Sequence, residues 1–172
     1  INIVTGTLDN PNYIPLPNKN NEIVIKSKDT SDQIKWSFET QNYIHSSAAT
    51  GKNENIYFGS GDNNIYALTP SGTKKWIYNT ENDVYSSPAI TADNNIVVGS
   101  DDGLIYMLNS TGELLWSQNI ADKINSSPAI TKNGTIYVGA SDGSLYALSP
   151  DGDISWSFPT QAGIESSPAI GK

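Results

Sequence analysis

Apolar and polar positions along this chain come in short alternating bursts, each closed by a few turn-forming residues. Within residues 126–165, the run TIYVGA alternates β-branched and aromatic residues as a half-buried strand does. SLYALS and ISWSFPT follow it in the same style, and the short apolar SSPAIT precedes it. The intervals hold Asn133–Gly134, the SDG of 141–143 and the PDGD of 150–153, all tight-turn signals. Strands of about five or six residues with three short turns use up the stretch, and no helix fits. The pattern predicts a four-stranded antiparallel meander.

The same meander recurs on a fixed clock. SSPAI stands at 86–90, 126–130 and 166–170, with SSAAT at 46–50, each copy 40 residues after the last. Trp36, Trp76, Trp116 and Trp156 keep that period and are the only tryptophans. Tyr66, Tyr106 and Tyr146 keep it too, as do Gly59, Gly99 and Gly139, and Gly72, Gly112 and Gly152. A lone meander has two apolar faces and cannot bury both. Repetition at constant period lets each sheet cover the next, which predicts an all-β fold, a β-propeller of four-stranded antiparallel blades. The small residues of SSPAI suit inner strands converging on a channel, where Pro88, Pro128 and Pro168 are tolerated.

The register assigns blades to 46–85, 86–125 and 126–165. Residues 1–45 read as a degenerate partial blade, with EIVIKSKDTSDQIKW (22–36) as its third strand and the start of its fourth. Residues 166–172 read as an inner strand that closes a composite blade with those outer strands. Alternatively, the strand pairs with residues 22–45 of a second copy, and a homodimer completes an eight-bladed ring. The dimer is the expectation taken here. A start at Ile1 is expected of a processed or cloned N-terminus.

The stretches ALTPSGTKKW (67–76), MLNSTGELLW (107–116) and ALSPDGDISW (147–156) resemble the tryptophan-docking motif of the pyrroloquinoline-quinone-like repeat family, roughly A-x-D-x-x-T-G-x-x-x-W. Ala67 and Ala147 match its first position, Gly72, Gly112 and Gly152 its glycine, and Trp76, Trp116 and Trp156 its tryptophan. The resemblance extends over residues 22–172 and implies a structural role for all four tryptophans, each pinned between adjacent blades. The chain departs from the family's enzymes in two ways. Its loop is one residue shorter, and Thr69, Asn109 and Ser149 replace the motif's aspartate. Such loops resemble the family's non-enzymatic members. The quinoprotein dehydrogenases imply eight blades, a bound calcium, a catalytic aspartate and often a vicinal cysteine pair, and this chain has no cysteine.

Charge narrows the partners. A net charge of −8 repels phosphate backbones, so nucleic acid is not expected as a partner. No apolar run approaches the ~18 residues of a membrane helix, so membrane insertion is not expected. Without cysteine there is no disulfide framework or thiol chemistry.

The strictness of the repeat exposes the positions it leaves free. Ahead of each Ser-Ser the sequence changes every time: His45, Tyr85, Asn125 and Glu165. Tyr43, Asp83 and Lys123 vary two residues earlier. These loops join an outer strand to the next inner strand and gather around one mouth of the channel, where a rigid scaffold presents binding residues. The functional reading is a mixed polar and aromatic pocket; the alternative is solvent-exposed loop positions free to drift. His45 is the lone histidine, so no two-histidine metal site and no catalytic arrangement is legible. The turns GDNN, DDG and SDG hold too few acids for a calcium loop and suit hairpin turns. The expectation is therefore a non-catalytic, extracytoplasmic scaffold without a cofactor that binds a protein or small ligand. The alternative is a fragment of a quinoprotein dehydrogenase.

Overall fold

The computed structural model describes residues 21–26, 34–120 and 123–171. The expectations for residues 1–20, 27–33 and Lys172 lie outside the described residues. All regular structure among those described is β, and no helix is long and apolar enough to cross a membrane.

The chain opens on a hairpin of β1 (Glu22–Lys26) and β2 (Ile34–Glu39). Three four-stranded antiparallel meanders follow, each inside one 40-residue unit. The first comprises β3 (Ala49–Thr50), β4 (Ile56–Ser60), β5 (Asn64–Leu68) and β6 (Lys74–Asn79). β7 (Ala89–Ile90), β8 (Ile96–Gly99), β9 (Leu104–Leu108) and β10 (Leu114–Asn119) form the second. β11 (Ala129–Ile130), β12 (Ile136–Gly139), β13 (Ser144–Leu148) and β14 (Ile154–Pro159) form the third. The sheets are blades of a β-propeller, with the inner strands β3, β7 and β11 side by side.

Alternation along the second strand of each blade builds the core. In β4, Ile56 and Phe58 turn toward the opening hairpin, joining Ile23, Ile44 and the half-buried Trp36. Tyr57, between them, turns the other way, onto Ile96, Val98 and Tyr106 of the next blade. One blade later, Val97 packs with Ile136 and Val138 in the third seam. Every seam is thus a strip of apolar side chains contributed from both sides. Gly59, Gly99 and Gly139 stand at or beside the ends of these strands, where Val84, Ile124 and Ile164 press against them. A Cβ on any of the three would come within 2.3 Å of its neighbour.

The inner strands are shorter than the SSPAI segment suggested, and the serines explain why. The first serine of each pair is spent on its own blade: Gly59, Gly99 and Gly139 N–H donate to Ser46, Ser86 and Ser126 Oγ at 2.8, 3.2 and 3.1 Å. The second is spent on the neighbour. Ser47 and Ser87 N–H donate to Ser87 and Ser127 Oγ at 2.7 and 2.9 Å, and Ser127 N–H to Ser167 Oγ at 3.0 Å. Proline has no N–H to give. Two residues per unit are left for the ladder.

The composite blade expected of residues 22–45 and 166–172 falls partly on residues outside those described. Among the described residues the β1–β2 sheet has two strands, and residues 166–170 lie in no sheet. Ser167 instead continues the serine succession as the next inner position, so the blades follow one another in an open series.

Candidate functional site

Two sets of loops share one face of the blades. The loops after β2, β6 and β10 lead to the next inner strand, and the turns after β4, β8 and β12 sit beside them. Backbone bonds tie the sets together: Gly61, Asp101 and Ser141 N–H donate to Tyr43, Asp83 and Lys123 carbonyls at 2.8, 2.8 and 3.0 Å. The residues that vary from unit to unit lie on this rim.

The structure brings several of them into contact. The His45 ring lies 5.9 Å from Tyr43 and 5.0 Å from Tyr85, edge-on to the latter. Tyr43 and His45 are exposed, and Tyr85 is partly buried. The Tyr85 hydroxyl donates to Asp83 Oδ2 at 2.6 Å, which pushes its pKa up to about 12, with burial and the charges of Asp83 and Asp101 adding to the effect. Gly61 makes room for this ring, since a Cβ there would sit 3.3 Å from Tyr85 Cε1. Lys123 Nζ lies 3.2 Å from Asp101 Oδ2. Asn125 holds its side-chain oxygen buried without a hydrogen-bond partner, and Glu165 is exposed further along the rim.

Asp101 is the residue that sequence reasoning missed. Its side chain is 5% exposed, with one oxygen on Lys123 and the other unpartnered. Burial raises its pKa, the Lys123 ammonium opposes that rise, and the carboxylates of Asp83 and Asp102 reinforce it. A signal was present. The first residue of the turn changes in every unit (Gly61, Asp101, Ser141), whereas the second is always aspartate.

That constant aspartate has a structural task. Asp62, Asp102 and Asp142 accept the hydroxyls of Tyr66, Tyr106 and Tyr146 at 2.7, 2.7 and 2.6 Å. Asp62 and Asp102 also accept the backbone N–H of Gln41 and Glu81. No group of three or more acidic, histidine or cysteine side chains among the described residues is arranged for a metal ion.

The tryptophans lie across the seams. Trp36, Trp76 and Trp116 Nε1–H donate to the carbonyls of Pro70, Ser110 and Pro150 in the following unit, at 3.0, 3.2 and 3.0 Å. Their rings cover Gly72, Gly112 and Gly152, whose φ angles of 80°, 89° and 92° favour glycine, and where a Cβ would meet the indole at 2.4–2.7 Å. In each unit the ladder slips by one residue just before the tryptophan, a bulge that re-aims the side chain. Trp156 has no such cover and is 45% exposed.

A blade series of this kind, with a variable mouth and indoles across its seams, defines a PQQ-like β-propeller. The chain belongs to the family described as outer membrane protein assembly factor BamB, which matches residues 61–171. Among solved structures, BamB from Moraxella catarrhalis is similar at 20% identity and a TM-score of 0.62, over 73% of this chain and 40% of that one. A protein of unknown function from Bacteroides caccae is similar at 21% identity and a TM-score of 0.65, over 87% of this chain and 58% of that one. The chain thus spans about half the length of these structures. Comparison with curated proteins gives no match.

Proposed function

We propose that this chain is a non-catalytic β-propeller scaffold that holds a protein partner at its mouth. One observation carries the reading. Along a strictly repeated frame, variation concentrates on one rim, and there Tyr43, His45 and Tyr85 form a connected aromatic group with Tyr43 and His45 exposed. Aromatic side chains of this sort are the usual anchors of protein interfaces. Family membership supports the reading, since the family's description is that of an assembly factor. It also supports placing the chain outside the cytoplasm.

The rim favours binding over reaction. Asp83 is engaged by Tyr85, and Asp101 by Lys123. His45 meets aromatic rings rather than a carboxylate or hydroxyl to activate. The calcium-bound quinone of the family's dehydrogenases does not fit these residues, because the acids present are not grouped for a cation.

A photo-crosslinking residue at position 43 tests the scaffold reading against one at position 71 on the opposite face. In the native host, position 43 should yield a defined protein adduct that His45→Ala with Tyr85→Ala abolishes. Equal adducts from both faces refute the reading. Fractionation of the same cells tests the location. Addition of the quinone with calcium should leave the protein without dye-linked alcohol oxidation.

The open series also supports assembly of two chains into an eight-bladed ring. The third blade leaves Trp156 and Phe158 45% and 63% exposed, an apolar face of the type other blades cover. Light scattering should give about twice the 18.5 kDa of one chain. A monomer that persists at high concentration refutes the dimer.

A further inference from the structure

β10 ends the strand order of its sheet, and among the described residues no strand pairs with its far side. The register fixes which backbone groups that edge presents. Ile120 N–H donates to the Gly103 carbonyl at 3.2 Å, and β10 runs in step with that bond, Gln118 opposite Ile105 and Ser117 opposite Tyr106. Bonding alternates along an antiparallel ladder, so the N–H and carbonyl of Gln118 turn inward to β9 and those of Ser117 turn outward. The Asn119 carbonyl, turned the same way, accepts from Gln118 Nε2 at 3.0 Å. At the exposed Ser117 the edge therefore carries a donor and an acceptor set for one more strand.

Every outer strand has such an edge, and side chains decide which one is open to pairing. Charged residues, lysine above all, guard exposed edges. β6 begins with Lys74 and Lys75, β2 has Ile34 and Lys35 at those places, and β14 has Ile154 and Ser155. Of the outer strands β10 alone has two large apolar residues there, Leu114 and Leu115, and they are 43% and 49% exposed. The ladder slips at Leu115 as it does in the other blades, so pairing is regular from Trp116 onward, with the two leucines adjoining it.

Charge selects the occupant. The bond from Trp116 Nε1–H to the Pro150 carbonyl ties the turn of 150–153 to β10. That turn exposes Asp151 and Asp153, and Glu113 is exposed at the start of β10. Residues 113–119 and 150–153 hold no lysine or arginine. A second copy would bring the same acids and the same net charge of −8 to this edge, whereas a strand with basic ends is drawn to it.

We propose that the outer edge of β10 takes an extended segment of a partner protein as a fifth strand of the second blade. The segment is apolar at alternate positions and basic at its ends. Strand addition of this kind draws affinity from main-chain bonds and selectivity from side chains. The inference concerns the outside of the blade and does not depend on the reading of the mouth.

The test titrates the nitrogen-15-labelled chain with acetyl-Lys-Val-Thr-Val-Thr-Val-Lys-amide. The peptide should shift the amide signals of residues 114–117 and slow exchange of the Ser117 amide about tenfold, because that N–H gains an acceptor. A counterpart with N-methylated valines, which cannot donate, should bind about tenfold more weakly, as should one with glutamate in place of lysine. Leu114→Lys with Leu115→Lys copies the start of β6 and should abolish the shifts. The reverse exchange, Lys74→Leu with Lys75→Leu, should open a second site and add shifts at Ile77; it predicts a gain, so misfolding cannot imitate it. Absence of binding, or equal binding of the N-methylated peptide, overturns the proposal. So do shifts confined to Tyr43, His45 and Tyr85, which would place the peptide at the mouth. Shifts at residues 114–117 on raising the chain concentration alone would assign the edge to a second copy and overturn it too.

Discussion

Ser47 donates its backbone N–H to the hydroxyl oxygen of Ser87 at 2.7 Å, across a seam and 40 residues along the chain. Ser87 does the same to Ser127, and Ser127 to Ser167. A residue type that seemed chosen only for smallness proves to be a fastener between blades. Ser87→Ala removes one acceptor and should cost about 1 kcal/mol. Ser86→Ala should cost more, about 1–3 kcal/mol, since it strands the buried Gly99 N–H. Urea melts of the two variants check the order; equal costs would show that the buried bond has no special weight.

Trp116 and Trp156 hold the same place in the repeat with different surroundings. Trp116 covers Gly152 and is bonded to Pro150, whereas Trp156 meets only its own blade's Tyr137 among the ring contacts. Trp116→Ala should cost about 2–4 kcal/mol, and Trp156→Ala about 1 kcal/mol or less. Matching losses in denaturant melts would refute a seam role for the indole.

Tyr66, Tyr106 and Tyr146 have pKa values raised above the ordinary 10.0, by burial first and then by the aspartates that accept their hydroxyls. The folded state therefore holds these protons more tightly than the unfolded chain. The associated stability is fully present below pH 10 and is lost as pH rises through the folded values. Melts should hold steady on this account up to about pH 10 and weaken above it, while phenolate absorbance lags behind that of the urea-unfolded chain. Superimposable phenolate curves for the folded and unfolded chain would refute the raised values.

Asp101 follows the same rule in a lower pH window. Its folded pKa is raised above 3.8, so it contributes stability below that value, which is lost as pH rises through the folded one. Burial disfavours its ionised form, a cost that Lys123 only partly offsets. Asp101→Asn should leave stability unchanged or raise it by up to about 1 kcal/mol at pH 7. A urea midpoint falling by more than that would make Asp101 a structural residue.

The blade frame was legible because a seam asks for the same residue each time it recurs. Trp36, Trp76 and Trp116 meet the same loop glycine, and Gly59, Gly99 and Gly139 meet the same branched side chain. The variable rim was legible as a set of positions, for the complementary reason that nothing there must repeat. Its pairings were not. Lys123 finds its partner on a turn 22 residues earlier, and DDG reads as an ordinary hairpin whether or not its first aspartate is buried. The serine bonds were hidden as well, since a hydroxyl that accepts from the next unit leaves no mark in the hydrophobic pattern.

The bare face at Trp156 gives this molecule a direction of unravelling. Blades that touch only their neighbours share stability locally, as links in a chain do. The second blade is flanked on both sides, whereas the third is flanked on one and exposes Ile154, Trp156 and Phe158 on the other. Amide protons of β12 and β13 should thus exchange with solvent sooner than those of β8 and β9, and a protease should nibble the series from its far end inward. Whatever docks against that face does more than lengthen the row: it changes which blade is the first to let go.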